Sequence, residues 1–264
     1  MNAILTAVIP VVAIGFICAV VLVAASIIMA VKEDERIPKV RECLPGANCG
    51  ACGYAGCDGY AKALVEEGVQ ANLCVPGGAA VAKEISEILG VEAGEVEPKV
   101  AVVHCGGDCK STEDKINYIG IQSCSASKLV FGGKGQCGYG CLGLGDCREA
   151  CPEDAICIEN DLARINTSLC IGCGICAKAC PNHLISLVPA RRRADVLCSN
   201  KDKGAVTRKI CSDGCIGCRK CVKVCPKEAI DIVDNHAVVD YEKCVGCGLC
   251  AKECPVGCIV KIDN

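Results

Sequence analysis

Two cysteine runs carry the densest chemistry of the chain. C-I-G-C-R-K-C-V-K-V-C-P begins at Cys215, and C-V-G-C-G-L-C-A-K-E-C-P begins at Cys244. Both read C-x2-C-x2-C-x3-C-P, the spacing that holds paired [4Fe–4S] clusters. Short gaps let three thiolates wrap one cluster on a tight loop, while the fourth, held before a proline, serves the neighbouring cluster. The expected ligand sets are Cys215, Cys218, Cys221 and Cys254 for one cluster, and Cys244, Cys247, Cys250 and Cys225 for the next. CxxC pairs also suit tetrahedral zinc. A zinc site rarely needs a third cysteine at +3 and a Cys-Pro fourth, and here that pattern occurs twice.

The same unit stands upstream. A displacement of 74 residues, without a gap, carries Cys124 to Cys198, Cys137 to Cys211, Cys141 to Cys215, Cys147 to Cys221 and Cys151 to Cys225. It also carries Cys170, Cys173, Cys176 and Cys180 to Cys244, Cys247, Cys250 and Cys254. This is an internal duplication of a two-cluster unit. Each copy holds a hairpin between its halves, with Asn160-Asp161 and Asp234-Asn235 at the turns. One ligand fails to repeat, because Cys218 maps onto Leu144. Cys137, four residues ahead of Cys141, is the expected replacement. The first unit is then read as Cys137, Cys141, Cys147 and Cys180 for one cluster, and Cys170, Cys173, Cys176 and Cys151 for the other. Cys105, Cys109, Cys124, Cys198 and Cys211 remain as material for a possible sixth cluster, and Cys211 is otherwise a spare. Cys43 could replace one of Cys49, Cys52, Cys57 and Cys74 but is read as a spare, Cys157 and Cys258 receive no role, and His104 is read as structural.

A third kind of cysteine loop precedes both units. L-P-G-A-N-C-G-A-C-G-Y-A-G-C places Cys49, Cys52 and Cys57 among glycines, with Cys74 beyond. Gly50, Gly53 and Gly56 allow tight turns that aim amides at an anionic cluster. Helices are expected at Asp58–Glu67 and Ala79–Leu89, and a loop over Gly90–Pro98. Upstream lies a short charged linker, Lys32–Glu42. Before it, Ala3–Val31 is apolar but for Thr6, Pro10, Gly15 and Ser26, long enough to span a bilayer. Cys18 falls in its middle as a lipid-facing residue. Lys32, Arg36, Lys39 and Arg41 follow, and nothing basic precedes, which places the cysteine-rich part on the cytoplasmic side of the cell (inner) membrane.

These parts give an α+β expectation: a transmembrane anchor over 1–31, a small helical [4Fe–4S] domain over 32–98, and ferredoxin-like units over 99–190 and 191–264. The 264 residues include 29 cysteines, two Phe and no Trp. Aromatic side chains therefore cannot supply the core, and metal–thiolate bonds must. The formal net charge of −3 argues for no nucleic acid partner. Pro189–Lys227 nevertheless carries eleven Lys and Arg against three acids. Arg191, Arg192, Arg193, Lys201, Lys203, Arg208 and Lys209 precede the cluster loop, and Arg219, Lys220, Lys223 and Lys227 flank it. This stretch is read as a dock for an acidic electron carrier, with a solvated face or anionic lipid as alternatives. Neither a GxGxxG between strand and helix nor a P-loop is present, so no nicotinamide or nucleotide site is expected.

The N-C-G-A-C-G-Y-A-G-C stretch, the V-P-G-G after Cys74, the apolar N-terminus and the tandem units, in that order, resemble the B subunit of the Rnf complex. The resemblance implies an iron–sulfur subunit of a membrane-bound, ion-translocating ferredoxin:NAD+ oxidoreductase. It implies electrons accepted from soluble ferredoxin and relayed to membrane subunits, with no substrate-converting site on this chain. At least five [4Fe–4S] clusters are expected. A polyferredoxin subunit of another redox complex and a structural zinc scaffold are the alternatives.

Overall fold

The computed structural model describes residues 2–28 and 34–262. The last residues of the apolar segment, with Lys32, lie outside the described residues. The first element, α1 (Asn2–Ile28), is a continuous helix with Pro10 inside it. Val12, Ile14, Phe16, Ile17, Val20, Val21, Leu22 and Val23 on it are all exposed. Counted over the described residues, no helix is long and apolar enough to cross a membrane.

The next segment is helical where the sequence suggested a linker. Asp34 starts α2 (Arg36–Cys43) by accepting the Arg36 amide at 2.9 Å and pairing with its guanidinium at 2.7 Å. The charges of α2 mask an apolar stripe, in which Ile37 and Val40, three residues apart, are buried. They pack with α3 (Gly56–Glu66) and α4 (Gly78–Leu89), which contribute Tyr60, Ala61, Leu64 and Ile85 to one small core. Gly90 ends α4 in the left-handed conformation that L side chains avoid.

The first repeated unit runs β1 (Lys99–Val103), α5 (Cys124–Leu129), α6 (Asp146–Glu149), β2 (Ile156–Glu159), β3 (Leu162–Ile165), α7 (Ile175–Ala179) and β4 (Ile185–Pro189). The second runs β5 (Ala194–Val196), α8 (Gly204–Ile210), α9 (Lys220–Val224), β6 (Ile230–Val233), β7 (His236–Val239), α10 (Leu249–Lys252) and β8 (Ile259–Lys261). β1 pairs antiparallel with β4 and β5 with β8, while β2–β3 and β6–β7 are hairpins. Among the described residues there are four sheets, each of two strands, and such ribbons are marginal alone. Their inner faces meet over cores that are rich in cysteine: Ala101, Val103, Ile156 and Leu184 with Cys147 and Cys176, and Val196, Ile230, Val239 and Ile259 with Cys215 and Cys221.

The hairpin turns fit the sequence expectation in detail. Asn160 and Asp161 have φ of 52° and 61°, and Asp234 and Asn235 have 46° and 65°. Two successive positive φ values match the right-handed strand twist, which is why Asn and Asp stand there. Each turn closes over a glycine of the cysteine loop. A Cβ on Gly143 would lie 2.5 Å from Asp161 O, and one on Gly217 would lie 2.9 Å from Asn235 O.

His104 joins the two units. Its Nδ1 lies 2.9 Å from Val196 O and its Nε2 2.6 Å from Ser186 Oγ, and its carbonyl accepts Ser199 Oγ at 3.0 Å.

Candidate metal centres

In the N-terminal domain, the Asn48 side chain accepts the Cys57 amide at 2.9 Å and so turns the cysteine loop into α3. Tyr60 accepts the Leu73 amide at 3.3 Å and donates to Gln70 O at 2.7 Å, which draws Cys74 back to the loop. Burial raises the pKa of the Cys74 thiol, as do Cys57, Cys52 and Cys49, and Cys52, Cys57 and Cys74 share one small core. Cys43 stays at the edge of this core and bonds to Lys39 O. Cys49 also faces the next domain. Lys178 Nζ donates to Cys49 O at 2.7 Å, and Cys49 is among the groups that raise the pKa of Cys173, after burial.

Cys151, Cys170, Cys173 and Cys176 line one recess of about 340 Å³, the set expected from the spacing. The second group of this unit differs from the expectation. Cys124, not Cys137, lines a recess of about 360 Å³ with Cys141, Cys147 and Cys180. Asp146 is the reason. Its carboxylate accepts the Cys124 amide at 2.6 Å, the Ser125 amide at 2.9 Å and the Ser123 hydroxyl at 3.0 Å. Burial pushes the Asp146 pKa up, but these bonds outweigh it and hold the carboxylate low. Asp146 precedes Cys147, so the start of α5 is pinned where Leu144 leaves a ligand missing.

Cys137 belongs elsewhere. With Cys105, Cys198 and Cys211 it lines another recess of about 360 Å³, so Cys211 stands among other cysteines rather than apart. Cys105 and Cys137 come from the first unit and Cys198 and Cys211 from the second. The fully buried Asn200 donates to Cys137 Sγ at 3.4 Å. Thr112 bridges to Cys211 and donates to Ile210 O at 2.7 Å. Both neighbouring groups touch this one. The Cys141 amide donates to Cys105 Sγ at 3.4 Å, and the Cys215 amide to Cys198 Sγ at 3.2 Å. Cys109 is outside it, exposed, with its amide on Asn160 O.

Cys215, Cys218, Cys221 and Cys254 line a recess of about 300 Å³, which also receives Cys258. Cys225, Cys244 and Cys250 share the second-unit core, and Cys244 and Cys247 add to burial in raising the pKa of Cys250. Burial pushes Cys105 and Cys147 up to about 12 and Cys198 and Cys221 up to about 11. Such thiols ionise only against a bound cation. Among the described residues, no group of three or more His, Cys, Asp or Glu closes on a single-ion position.

The basic stretch is not one surface. Arg192 is buried and pairs with Asp195 at 2.7 Å, and Tyr241 donates to the same carboxylate at 3.3 Å. Arg191 pairs with Glu97 and Glu242. Arg193 packs along Gly246. Arg208, Lys209, Arg219, Lys220, Lys223 and Lys227 are exposed, or nearly so, as is Cys218 among them.

Cysteines gathered around shared recesses, on short turns between duplicated hairpins, define a multi-centre iron–sulfur protein of the [4Fe–4S] class. Residues 44–76 match the family described as a putative Fe-S cluster, and 169–229 and 214–258 match the 4Fe-4S dicluster domain. The chain is 45% identical to the B subunit of the proton-translocating ferredoxin:NAD(+) oxidoreductase complex of Clostridium ljungdahlii, covering 91% of this chain and 85% of that one. It is 42% identical to the Na(+)-translocating counterpart of Acetobacterium woodii, over 87% of this chain and 69% of the other. It is 40% identical to the B subunit of the ion-translocating oxidoreductase complex of Methanosarcina acetivorans, over 87% of each. The chain belongs to this family, the B subunits of ion-translocating (Rnf) oxidoreductase complexes.

Proposed function

We propose that the chain is a six-centre electron relay within an ion-translocating ferredoxin:NAD+ oxidoreductase. Its ligands would be Cys49, Cys52, Cys57 and Cys74; Cys151, Cys170, Cys173 and Cys176; Cys124, Cys141, Cys147 and Cys180; Cys105, Cys137, Cys198 and Cys211; Cys215, Cys218, Cys221 and Cys254; and Cys225, Cys244, Cys247 and Cys250. A bound [4Fe–4S] cluster supplies one-electron storage at each of these places. The observation that carries the reading is the junction group. The amide of Cys141 reaches Cys105 and that of Cys215 reaches Cys198, which supports one continuous row through the two units rather than two. The contact of Cys49 with Lys178 extends that row into the N-terminal domain.

The exposed apolar surface of α1 supports a membrane anchor, with the cysteine domains on the cytoplasmic side. Arg219, Lys220, Lys223 and Lys227, all exposed and within nine residues of the exposed Cys218, suit docking of an acidic soluble ferredoxin. Electrons would enter there and leave from the Cys49–Cys74 group toward membrane subunits and finally NAD+. Full-length protein should stay with the membrane after a carbonate wash. After anaerobic purification it should hold about 24 iron atoms, from four per cluster. Full iron loading in the soluble fraction would sink the anchor, and colourless protein the relay.

A further inference from the structure

Cys258 is a buried thiol that the cluster spacing does not require. It lies on the turn after Cys254, with 3% of its surface exposed. Its Sγ stands 3.6 Å from Cys254 Sγ, and it lines the same recess as Cys215. Once Cys215 and Cys254 bind iron they carry no hydrogen. Cys258 is then the one member of this trio with an S–H to give. The duplication supplies an internal comparison, because Leu184 occupies the corresponding place in the first unit. There the Leu184 amide donates to Cys180 Sγ at 3.5 Å. The Cys258 amide reaches Cys254 in the same way, so the side-chain thiol is what the second unit adds.

We propose that the Cys258 thiol donates a hydrogen bond to the ligating sulfurs of the Cys215, Cys218, Cys221 and Cys254 site and raises the reduction potential of the cluster held there. A donor at a cluster sulfur stabilises the reduced, more negative state over the oxidised one, and hydrogen bonds to sulfur are among the factors that set cluster potentials. The thiol is a weak donor, but it is itself buried and its acceptors are the anionic sulfurs of the buried Cys215 and the half-buried Cys254, where such a bond counts for more than in water. On the relay reading, which this inference rests on, the effect falls on the site beside the exposed basic surface. It makes that site the easier one to reduce and favours capture of the incoming electron. Cys258 is thus a positioning and tuning residue rather than a ligand.

The test is an EPR-monitored potentiometric titration of the full-length protein, paired with iron analysis of the same samples. Wild-type iron content tests the relay reading by itself. In Cys258→Ala the expected result is unchanged iron and a downward shift of one cluster's midpoint, the others staying in place. Cys258→Ser keeps a donor and should hold that midpoint near the wild-type value. Cys258→Leu, the residue of the first unit, refills the volume and should shift it as alanine does, so a packing defect in one variant does not decide the outcome. Unmoved midpoints in both Cys258→Ala and Cys258→Leu at full iron would make Cys258 plain core filler and overturn the proposal. Loss of about four iron atoms in every variant, the amount held by one cluster, would make Cys258 a ligand and overturn it equally.

Discussion

The carboxylate of Asp146 holds the amide of Cys124 at 2.6 Å. This single contact brings a cysteine seventeen residues upstream of Cys141 into the group that Leu144 leaves one ligand short. Cys124→Ala should therefore remove about four iron atoms, one cluster's worth. Adding Leu144→Cys restores the spacing of the second unit and should return them. Iron analysis of the single and double variants checks this; a double variant as poor in iron as the single one would mean that position 144 cannot reach the site.

Asp146 also sets a pH dependence. Its hydrogen bonds depress its native pKa, so the stabilisation is fully present above the unfolded value of about 3.9. It is lost as pH falls through the lower native value. Asp146→Asn should weaken the protein at pH 7, with a smaller difference from wild type as the pH drops toward about 3, below that unfolded value. Chemical denaturation midpoints across that window report it, and a difference that grows on acidification would contradict the assignment.

Cys137→Ala and Cys211→Ala should cost the same amount of iron, because both sulfurs line the recess between the two units. The iron left behind should belong to two halves that no longer communicate. Freeze-quench EPR after reduction by ferredoxin should then show second-unit signals appearing while first-unit signals lag. Full iron in Cys211→Ala would return Cys211 to the status of a spare.

The C-x2-C-x2-C-x3-C-P runs give two sets of cysteines that line one recess each, because short gaps leave the backbone few alternatives. Cys151 with Cys170, Cys173 and Cys176 is one such group. The hairpin turns were legible for the same reason, since Asn160-Asp161 tolerates two positive φ values. What the residues did not show was partnership across distance. The offset of 74 equates Cys124 with Cys198 and Cys137 with Cys211, yet the members of each pair belong to different places or to different units. A signal was there: Asp146 maps onto Lys220, so only the first unit has a carboxylate to capture an upstream amide. The eight residues of α2 were hidden by their charges, because two apolar positions suffice to dock so short a helix.

Arg192 belongs to the interior. Its ion pair with Asp195 is almost wholly buried and shares the carboxylate with Tyr241. Arg192→Glu should destabilise the second unit by at least about 3–5 kcal/mol, the usual cost of leaving one partner of a buried pair alone, because it also sets a second carboxylate beside Asp195. Gly143→Ala should act likewise in the first unit, by driving the Asp161 turn off the cysteine loop. Urea unfolding followed by loss of cluster absorbance measures both, and a wild-type midpoint for Arg192→Glu would mean that the pair contributes nothing.

Charge reversal at the surface should separate docking from stability. Arg219, Lys220, Lys223 and Lys227 follow Cys218 in the chain and are exposed as it is, and Arg219 has an acidic neighbour in Asp231 at 3.7 Å. Opposite charges across an encounter surface raise association rates, and the gain fades once the screening length falls to about 8–10 Å at ordinary ionic strength. A triple variant, Lys220→Glu, Lys223→Glu and Lys227→Glu, should keep its iron and its unfolding midpoint. It should be reduced at least about tenfold more slowly by an acidic ferredoxin at low salt, a factor within the range of electrostatic steering. The difference should shrink as salt is added, and reduction by a small neutral reductant should not change. Stopped-flow traces over a series of salt concentrations give the slope for each protein. If the variant and wild type share both rate and slope, ferredoxin meets the chain elsewhere, and the next surface to test is the turn that carries the exposed Cys247, Val245 and Leu249.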